Sequence, residues 1–326
     1  MEIRPAAEAD IPEIVSLLKL SLGESLMPKS EQFWRWKHVD NPFGHSPVLL
    51  AMNEGSIVGV RAFMRWAWQA ENRRIEAVRA VDTATHPDFQ GKGIFSKLTK
   101  ALLTRCQELN IQMVFNTPNE KSKPGYLKMG WKEAGRVPVT IKVRSPFRIA
   151  AGLISGEGTP GNMPGPGGDL RMLEHPAVPA LLDRHFENQK RWTVTPVSQR
   201  YLLWRYRDSP VSGYFAEATG KSEPDGLIIY RLKDSRLGRE MRITNIFEAS
   251  FSARARLKEV VRTKARQHRA DYITANGFFG KQILGGLALT QRIGPVVTIR
   301  QVADEPLDTF SNFATWRPDV GDLELF

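Results

Sequence analysis

The sequence predicts an α/β protein in which mixed, mostly antiparallel sheets are flanked by helices. Short β-rich runs separated by turn residues occupy positions 48–85 and again 214–247, which is typical of antiparallel meanders. Each meander precedes an amphipathic helix, at 94–109 and at 252–270, and each helix precedes another short strand. A strand reached through a crossover helix can pair in parallel, so each half of the chain predicts a mixed sheet.

Composition fits a globular protein of this kind. The chain has 326 residues, 41% hydrophobic and 25% charged, which is enough for two domains of ordinary size. No apolar run reaches the length of a membrane span, and the first residues are too acidic for a signal peptide. The single cysteine, Cys106, excludes an internal disulfide. We therefore expect a cytoplasmic protein without membrane partners.

The net charge of +11 is concentrated in one part of the sequence. Between positions 92 and 148 there are twelve Lys or Arg residues and only three acids, Glu108, Glu120 and Glu133. This cluster fits a ligand that carries phosphates, and it equally fits a solvated basic face. No aromatic-basic pattern of a known nucleic-acid-binding module accompanies the charge, which argues against nucleic acid as a partner.

The secondary-structure elements of the first half are predicted from helix caps, turn residues and hydrophobic periodicity. A proline in the first turn after Asp10 marks a helix start, and turn residues at Asn41-Pro42 and Asn53-Glu54-Gly55 separate the elements that follow. In order, we predict a strand at 1–5, helices at 10–20 and 31–39, strands at 48–52, 57–68 and 74–85, a helix at 94–109, a strand at 111–116, a helix at 121–129 and closing strands at 131–143.

The second half repeats this order after a break. Residues 145–169 are rich in glycine and proline and predict a linker. Beyond it we predict helices at 175–184 and 198–207, strands at 214–218, 226–233 and 242–247, a helix at 252–270, a strand at 272–275, a short helix at 281–287 and a final strand at 291–300.

A short sequence motif is also repeated in the two halves. The run Trp34-Arg35-Trp36-Lys37, which precedes an Asp-Asn-Pro turn, recurs as Trp204-Arg205-Tyr206-Arg207 before an Asp-Ser-Pro turn. An internal duplication explains the repeated motif, and chance recurrence of an aromatic-basic helix is the alternative.

One turn carries the main functional signal. Gly91 and Gly93 lack the Cβ that would keep a ligand away from the main chain, and they lie just before the helix at 94–109. The first-turn N–H groups of a helix have no partner within the helix. The turn is therefore a candidate cradle for an anion.

This turn resembles a known pattern. Residues 90–95, Gln-Gly-Lys-Gly-Ile-Phe, resemble the Q/R-x-x-G-x-G/A pyrophosphate loop of the GNAT superfamily of acyl-CoA N-acyltransferases. The segment 116–131 resembles that family's polar strand end, tyrosine-bearing short helix and Gly-aromatic exit. The resemblance covers about residues 1–144 and extends into the second half through element order. Phe95 stands where the family most often has Gly or Ala, so its ring either crowds the phosphate or turns into the core.

The resemblance implies two GNAT-like domains, a catalytic one at 1–144 and a degenerate one at 170–326 that shapes the acceptor cleft or an interface. It also implies acetyl-CoA as co-substrate and direct attack of an amine on the thioester. Tyr126 is then the general acid for the departing thiolate, or else a core tyrosine. The base is Asp82, Glu76, Glu120 or water. The residues implied to contact acetyl-CoA are Thr83, Thr85, Gln90, Gly91, Lys92, Gly93, Ile94, Phe95, Ser96, Asn116, Asn119 and Ser122.

The second half lacks these features. Its turn at 247–252 has no glycine and carries Glu248, which would repel a phosphate, and apolar Ile283-Leu284 stands at the counterpart of Tyr126. The basic residues of the helix at 252–270 fit a solvated face or an anionic acceptor.

Our leading hypothesis is N-acetyl transfer to a small-molecule amine, such as an amino sugar or an aminoglycoside-like amine. A homodimer is compatible with the sequence. The alternatives are aminoacyl or peptidyl transfer from charged tRNA, as in related tandem proteins, and a non-catalytic module that binds acyl-CoA or nucleic acid. The histidines show no metal-ligand spacing, and neither a Walker loop nor a G-x-S-x-G elbow is present. The acceptor, the acyl chain and the base are left open.

Overall fold

The structure is a computed structural model that describes residues 1–23, 29–155, 168–210, 213–305, 307, 310 and 312–323. The contacts within it divide the chain into two compact units. The first unit contains Met1–Gly135 and Val296–Thr315, and the second contains Arg136–Pro295 and Trp316–Phe326. Each unit is built on one sheet.

Both sheets are mostly antiparallel, and the described pairings include a parallel pair in each sheet, which confirms the predicted fold class. In chain order the described strands are β1 (Glu2–Pro5), β2 (Val48–Asn53), β3 (Ser56–Ala70), β4 (Arg73–Thr85), β5 (Met113–Asn116), β6 (Lys132–Arg136), β7 (Val139–Val143), β8 (Phe215–Thr219), β9 (Gly226–Ser235), β10 (Gly238–Glu248), β11 (Tyr272–Asn276), β12 (Leu289–Gln291) and β13 (Val296–Gln301).

The α-helices of the described residues are α1 (Ile11–Leu22), α2 (Glu31–His38), α3 (Ile94–Glu108), α4 (Lys123–Lys128), α5 (Pro146–Ser155), α6 (Val178–Glu187), α7 (Gln199–Leu202), α8 (Phe251–Gln267), α9 (Gly280–Leu284) and α10 (Val320–Leu323). Residues Leu203–Arg207 continue α7 as a π-helix. None of these helices combines the length and the apolar character needed to cross a membrane.

The first sheet is packed on both faces by helices. Its strand order is β1-β2-β3-β4-β5-β13-β6. The apolar side of α3, with Leu98 and Leu102, packs against Phe63 and Val78 on one face. On the other face, α1 packs Ile14 against the small side chains of β3. Each fully buried aliphatic side chain of this kind stabilises the fold by about 1.5–3 kcal/mol.

The parallel pair of the first sheet is short. β4 and β5 pair through three residue pairs, from Ala77 opposite Met113 to Arg79 opposite Phe115. β4 then continues to Thr85, paired with β3 on its other side. Residues 80–85, which we name the free end of β4, therefore extend past β5 and lead into the turn before α3.

A β-bulge in the free end of β4 reverses the alternation of its side chains. Arg61 of β3 pairs with Thr83 and Ala62 pairs with Val81, so Asp82 is an extra residue in β4. Before the bulge, Val78 and Ala80 pack in the core cluster that contains α3. After it, Ala84 packs in the cluster that contains α1. One extra residue has moved the later side chains to the opposite face.

The two sheets exchange one strand each. β7 follows β6 closely in the chain but pairs with β11 and β12 in the second sheet. β13 comes from the C-terminal part of the chain and pairs with β5 in the first sheet. The second sheet, ordered β12-β7-β11-β10-β9-β8, therefore matches strands β6-β13-β5-β4-β3-β2 of the first sheet position by position.

The second unit repeats the bulge. Ile243 pairs with Tyr230 and Asn245 pairs with Ile229, so Thr244 is an extra residue in β10. Here residues of the C-terminal segment 316–323 cover the ends of the two parallel strands. The Nδ2 atom of Asn245 donates to the Asp319 carboxylate at 2.9 Å, and the side chain of Asn276, at the end of β11, donates to the Pro318 carbonyl.

Two strand predictions require correction. Of the predicted closing strands at 131–143, β6 belongs to the first sheet but β7 belongs to the second. The predicted final strand at 291–300 is two strands, β12 and β13, which lie in different sheets. Hydrophobic patterning identifies a strand but does not encode which sheet edge receives it, because both edges offer the same backbone hydrogen bonds.

The strand exchange also changes the domain division. The predicted continuous ranges 1–144 and 170–326 differ from the two compact units, each of which combines separate parts of the sequence. The predicted linker at 145–169 begins with a helix, α5, and residues 156–167 of that prediction lie outside the described residues.

We predict that residues 1–144 do not fold stably alone, because β13 is missing from between β5 and β6. A fusion of 1–135 to 296–315 through a flexible linker restores that strand and is expected to unfold cooperatively on heating, as followed by circular dichroism. Equal melting midpoints for the fragment and the fusion would contradict this prediction.

Candidate functional site

The turn between β4 and α3 is built on two glycines in the left-handed region. Gly91 and Gly93 both have φ of +74°, and Gly93 directly precedes the first turn of α3. A Cβ added to either residue would meet no neighbouring atom within 4 Å. The backbone conformation, and not crowding, therefore favours glycine here. The space beside the turn is open to a ligand of the helix N-terminus.

A cavity of about 480 Å³ borders this turn. Its volume falls in the range of small-molecule sites. The structure brings together here the predicted residues of the free end of β4 and of the turn, joined by two residues of α1. The lining residues are Ser21, Leu22, Thr83, Ala84, Thr85, Phe89, Gln90, Gly91, Gly93, Ile94 and Phe95.

Hydrogen bonds tie the turn to the strand that precedes it. The Thr85 carbonyl accepts bonds from Ser21 Oγ at 3.0 Å and from Gln90 Nε2 at 3.3 Å. Lys92 is exposed, with its Nζ 4.5 Å from the centre of the Phe89 ring. These contacts tie the turn to the end of β4 and to α1.

Tyr126 lies on α4 next to a buried arginine. Its side chain is 5% exposed, and its ring packs edge-on against Trp131 at 5.2 Å. The Tyr126 hydroxyl accepts a hydrogen bond from Arg61 at 2.7 Å. A second Arg61 nitrogen donates to the Val81 carbonyl at 3.1 Å, one residue before the bulge. The hydroxyl is thus held in a fixed position relative to the free end of β4.

Phe95 turns toward this pair and away from the open side of the turn. Its partly buried ring packs against the core cluster of α3 and meets the Tyr126 ring edge-on at 6.0 Å. The Arg61 guanidinium lies 5.3 Å from the ring centre of Phe95. Of the two outcomes that the sequence allowed, the structure shows the inward one, although the ring still borders the cavity.

Asp82 forms a cluster with two residues of α2. Its carboxylate binds the Lys37 ammonium and lies 2.9 Å from His38 Nε2. Lys37 and His38 are buried, whereas the Asp82 side chain is about one-fifth exposed. Asp82 also has φ of +36°, an uncommon backbone conformation for a non-glycine residue and one that clusters at functional sites.

Opposing effects set the protonation of this cluster. Burial alone would raise the pKa of the Asp82 carboxyl, but the Lys37 ammonium and His38 outweigh it and hold that pKa well below its usual range. Burial lowers the pKa of the His38 imidazole, against the opposing effect of Asp82. Asp82 is therefore ionised and a weak base, and it is better suited to hold a cation than to remove a proton.

The remaining predicted residues have local partners. Buried Asn116, at the end of β5, accepts a hydrogen bond from Thr298 of β13. Asn119 Oδ1 accepts from the Ser122 backbone N–H at 2.9 Å and so orders the turn before α4. The Glu120 carboxylate is exposed and lies 3.9 Å from Lys123 Nζ. Their predicted contacts with a cofactor stay predictions.

Sequence reasoning missed Arg61, Lys37 and His38 as site residues. Arg61 lies in a long apolar strand and gave no motif. The repeat of the motif Trp34-Arg35-Trp36-Lys37 did draw attention to α2, but it was interpreted only as evidence of duplication. Within the described ranges, no group of three His, Cys, Asp or Glu side chains is placed to hold a metal ion.

The geometry defines a strand–turn–helix motif with an open glycine turn, beside a strand that extends past its parallel neighbour. Residues 2–134 match the family model of the acetyltransferase (GNAT) domain. This region of the chain is therefore similar to the acetyltransferase (GNAT) domain. None of the curated proteins compared with the chain matches it.

Solved structures show the same fold over nearly the whole chain. A conserved protein of unknown function from Enterococcus faecalis V583, described as a probable N-acyltransferase, has a TM-score of 0.66 at 11% identity, covering 95% of this chain and 74% of its own. A GCN5-related N-acetyltransferase from Anabaena variabilis ATCC 29413 has a TM-score of 0.65 at 16% identity, covering 93% and 73%. A GCN5-related N-acetyltransferase from Kribbella flavida has a TM-score of 0.62 at 12% identity, covering 92% and 71%.

We predict that Asp82→Asn lowers the free energy of unfolding by about 3 kcal/mol at pH 7, because the buried Lys37 ammonium loses its counter-charge. An acid with a depressed native pKa stabilises the fold above its unfolded pKa, and this contribution is lost as the pH falls through the native pKa. The loss should therefore shrink below about pH 4. Urea unfolding at several pH values measures it. Exposed Asp40→Asn is the matched control, and equal losses in the two variants would contradict the prediction.

Proposed function

We propose that the first unit is an acetyl-CoA-dependent N-acetyltransferase. The observation that carries the proposal is the turn of Gly91 and Gly93 at the start of α3, open to a cavity. Main-chain N–H groups of residues 91–96 would hold the pyrophosphate of CoA, and the dipole of α3 would stabilise its charge. Lys92 and the exposed Lys97 are placed near the same turn. A cofactor held there would direct its thioester along the free end of β4.

Tyr126 is the general acid of this proposal. When the amine nitrogen attacks the thioester carbonyl, a C–N bond forms and the C–S bond breaks, and its electron pair stays on sulfur. The Tyr126 hydroxyl gives its proton to that thiolate. The bond that Arg61 donates to the hydroxyl oxygen leaves the tyrosine proton free to be donated elsewhere.

Asp82 and Glu120 are the carboxylates proposed for the acceptor amine. Asp82 is favoured over Glu120, because it adjoins the cavity residue Thr83 and keeps a negative charge within the free end of β4. We propose that it orients the acceptor, while water takes the proton that the amine loses. A small cationic amine, such as an amino sugar or an aminoglycoside-like compound, is the acceptor class that we propose.

We propose that the second unit is a degenerate copy that binds no acyl-CoA. Its strand order and its bulge at Thr244 support a common origin with the first unit. Its turn before α8 lacks glycine, and Glu248 there pairs with Arg254. The C-terminal segment 316–323 bonds to Asn245 and Asn276, at the ends of the parallel pair. One cofactor site per chain is the consequence.

We predict that Gly93→Asp weakens acetyl-CoA binding at least ~10-fold, because a left-handed residue is replaced and a negative charge is placed where the pyrophosphate would bind. Isothermal titration should give one site per wild-type chain. Gly55→Asp is the matched control, since Gly55 also has positive φ and open space around it but lies in the β2–β3 turn. Two sites per chain, or equal effects of both substitutions, would contradict the prediction.

We predict that Tyr126→Phe lowers kcat about 10²–10⁴-fold, because the thiolate loses its proton donor. Thiol release from acetyl-CoA with a panel of amines measures the rate. The phenylalanine ring keeps the packing against Trp131, so the affinity for acetyl-CoA should be unchanged, whereas the melting midpoint should fall because the buried Arg61 loses a hydrogen-bond acceptor. Thiol release at the wild-type rate would exclude Tyr126 as the acid, and its absence from the wild-type chain would exclude the proposed function.

A further inference from the structure

Arg61 is a fully buried cation bonded to neutral oxygens. Its side chain is 0% exposed, and among the described residues its guanidinium donates to the Val81 carbonyl and the Tyr126 hydroxyl and to no carboxylate. Its Nε is buried with no partner. Burying a charge without a counter-charge is expensive, so such a residue reduces stability, and a role of the charge in the site would account for that cost.

The surroundings of Arg61 concentrate the effect of its charge on one atom. Aromatic rings surround the guanidinium, with centres at 4.8 Å for Phe63, 5.3 Å for Phe95 and 5.5 Å for Tyr126. These rings exclude water, and a low local dielectric strengthens every charge interaction inside. The nearest group that could acquire a negative charge is the Tyr126 oxygen, at 2.7 Å.

We propose that Arg61 is the positioning residue of Tyr126, and this rests on the acetyl transfer proposed above. The Arg61 N–H occupies one lone pair of the hydroxyl oxygen, so the O–H bond points away from the guanidinium. When the proton passes to the CoA thiolate, the electron pair of the O–H bond stays on the tyrosine oxygen. The positive charge of Arg61 stabilises that anion. The proton that the amine loses to water then passes from water to the tyrosine oxygen and restores the hydroxyl.

The position of Arg61 in the fold explains why this residue performs the role. Position 59 of β3 lies against Ile94 and Leu98, so Arg61, two residues later, faces the same side of the sheet as α3. Its second bond fixes Val81 immediately before the bulge. Arg61 therefore sets the distance between the free end of β4 and the Tyr126 hydroxyl.

The test compares kcat, KM for acetyl-CoA and the melting midpoint of Arg61→Met with wild type. Methionine has a similar length and no charge. We expect kcat to fall about 10–100-fold with KM unchanged, since the charge acts on proton transfer and not on binding. We expect the midpoint to stay the same or to rise, because a buried, uncompensated charge is removed. Arg61→Lys, which keeps the charge, should recover part of kcat.

A double-mutant cycle tests whether Arg61 acts through Tyr126. In a Tyr126→Phe background, Arg61→Met should cost no further activity, because the oxygen on which Arg61 acts is gone. An equal loss in both backgrounds would overturn the proposal. So would a fall of kcat together with the melting midpoint in Arg61→Met, which is the result of a purely structural arginine.

Chemical rescue distinguishes the effect of the Arg61 charge on kcat from the effect of the side chain's shape. In Arg61→Ala, millimolar guanidinium should restore part of kcat, whereas urea, which has a similar shape and hydrogen-bond donors but no charge, should not. Rescue by both compounds would overturn the role of the charge. If the proposed function itself is wrong, the result differs from all of these. The wild-type chain would then release no thiol from acetyl-CoA with any amine, while the melting midpoints of the variants would still be measurable.

Discussion

The bulge at Asp82 is the constraint on which the candidate site depends. A regular β4 would place Asp82 on the same face as Val78 and Ala80, within the apolar core against α3. The extra residue sends it to the opposite face, where the Lys37 ammonium balances its charge and His38 Nε2 lies 2.9 Å from its carboxylate. The unusual φ of Asp82 is a strain of about 1–3 kcal/mol, and these two contacts offset it. The bulge thus separates the acidic group from the face that carries Tyr126.

The two units share the same strand arrangement but differ at the ends of their parallel strands. In each, the short strand after the crossover helix ends in an asparagine, Asn116 or Asn276, next to a strand supplied by the other part of the chain. Asn116 bonds to Thr298 within the sheet, and the free end of β4 borders a cavity. Asn276 bonds to Pro318, so a segment of the chain itself occupies the corresponding strand end. The corresponding strand ends thus border a cavity in the first unit and are covered by a segment of the chain in the second.

Local signals predicted most of the elements and part of the site. The glycines at 91 and 93 were recognisable because a backbone in the left-handed region, next to a helix start, requires them. Tyr126 was identified by resemblance, and the structure places it near the cavity residue Phe95. Arg61 was not predictable, because its role depends on a contact with a residue far away in the sequence. The positions of β7 and β13 were missed for the same reason, since strand pairing across the chain is not encoded in local periodicity.

Two charges on opposite faces of one sheet, the partly exposed Asp82 and the fully buried Arg61, are balanced in different ways. Asp82 is compensated by Lys37, so its charge is fixed in the resting protein and its depressed pKa resists protonation. Arg61 is bonded to neutral oxygens, so its charge is available to a negative charge that forms only during a reaction. A preorganised charge of this kind accelerates a step because no solvent has to reorganise when the charge develops. Its energetic cost is present in the resting fold, because the guanidinium stays buried without a counter-charge when no reaction takes place.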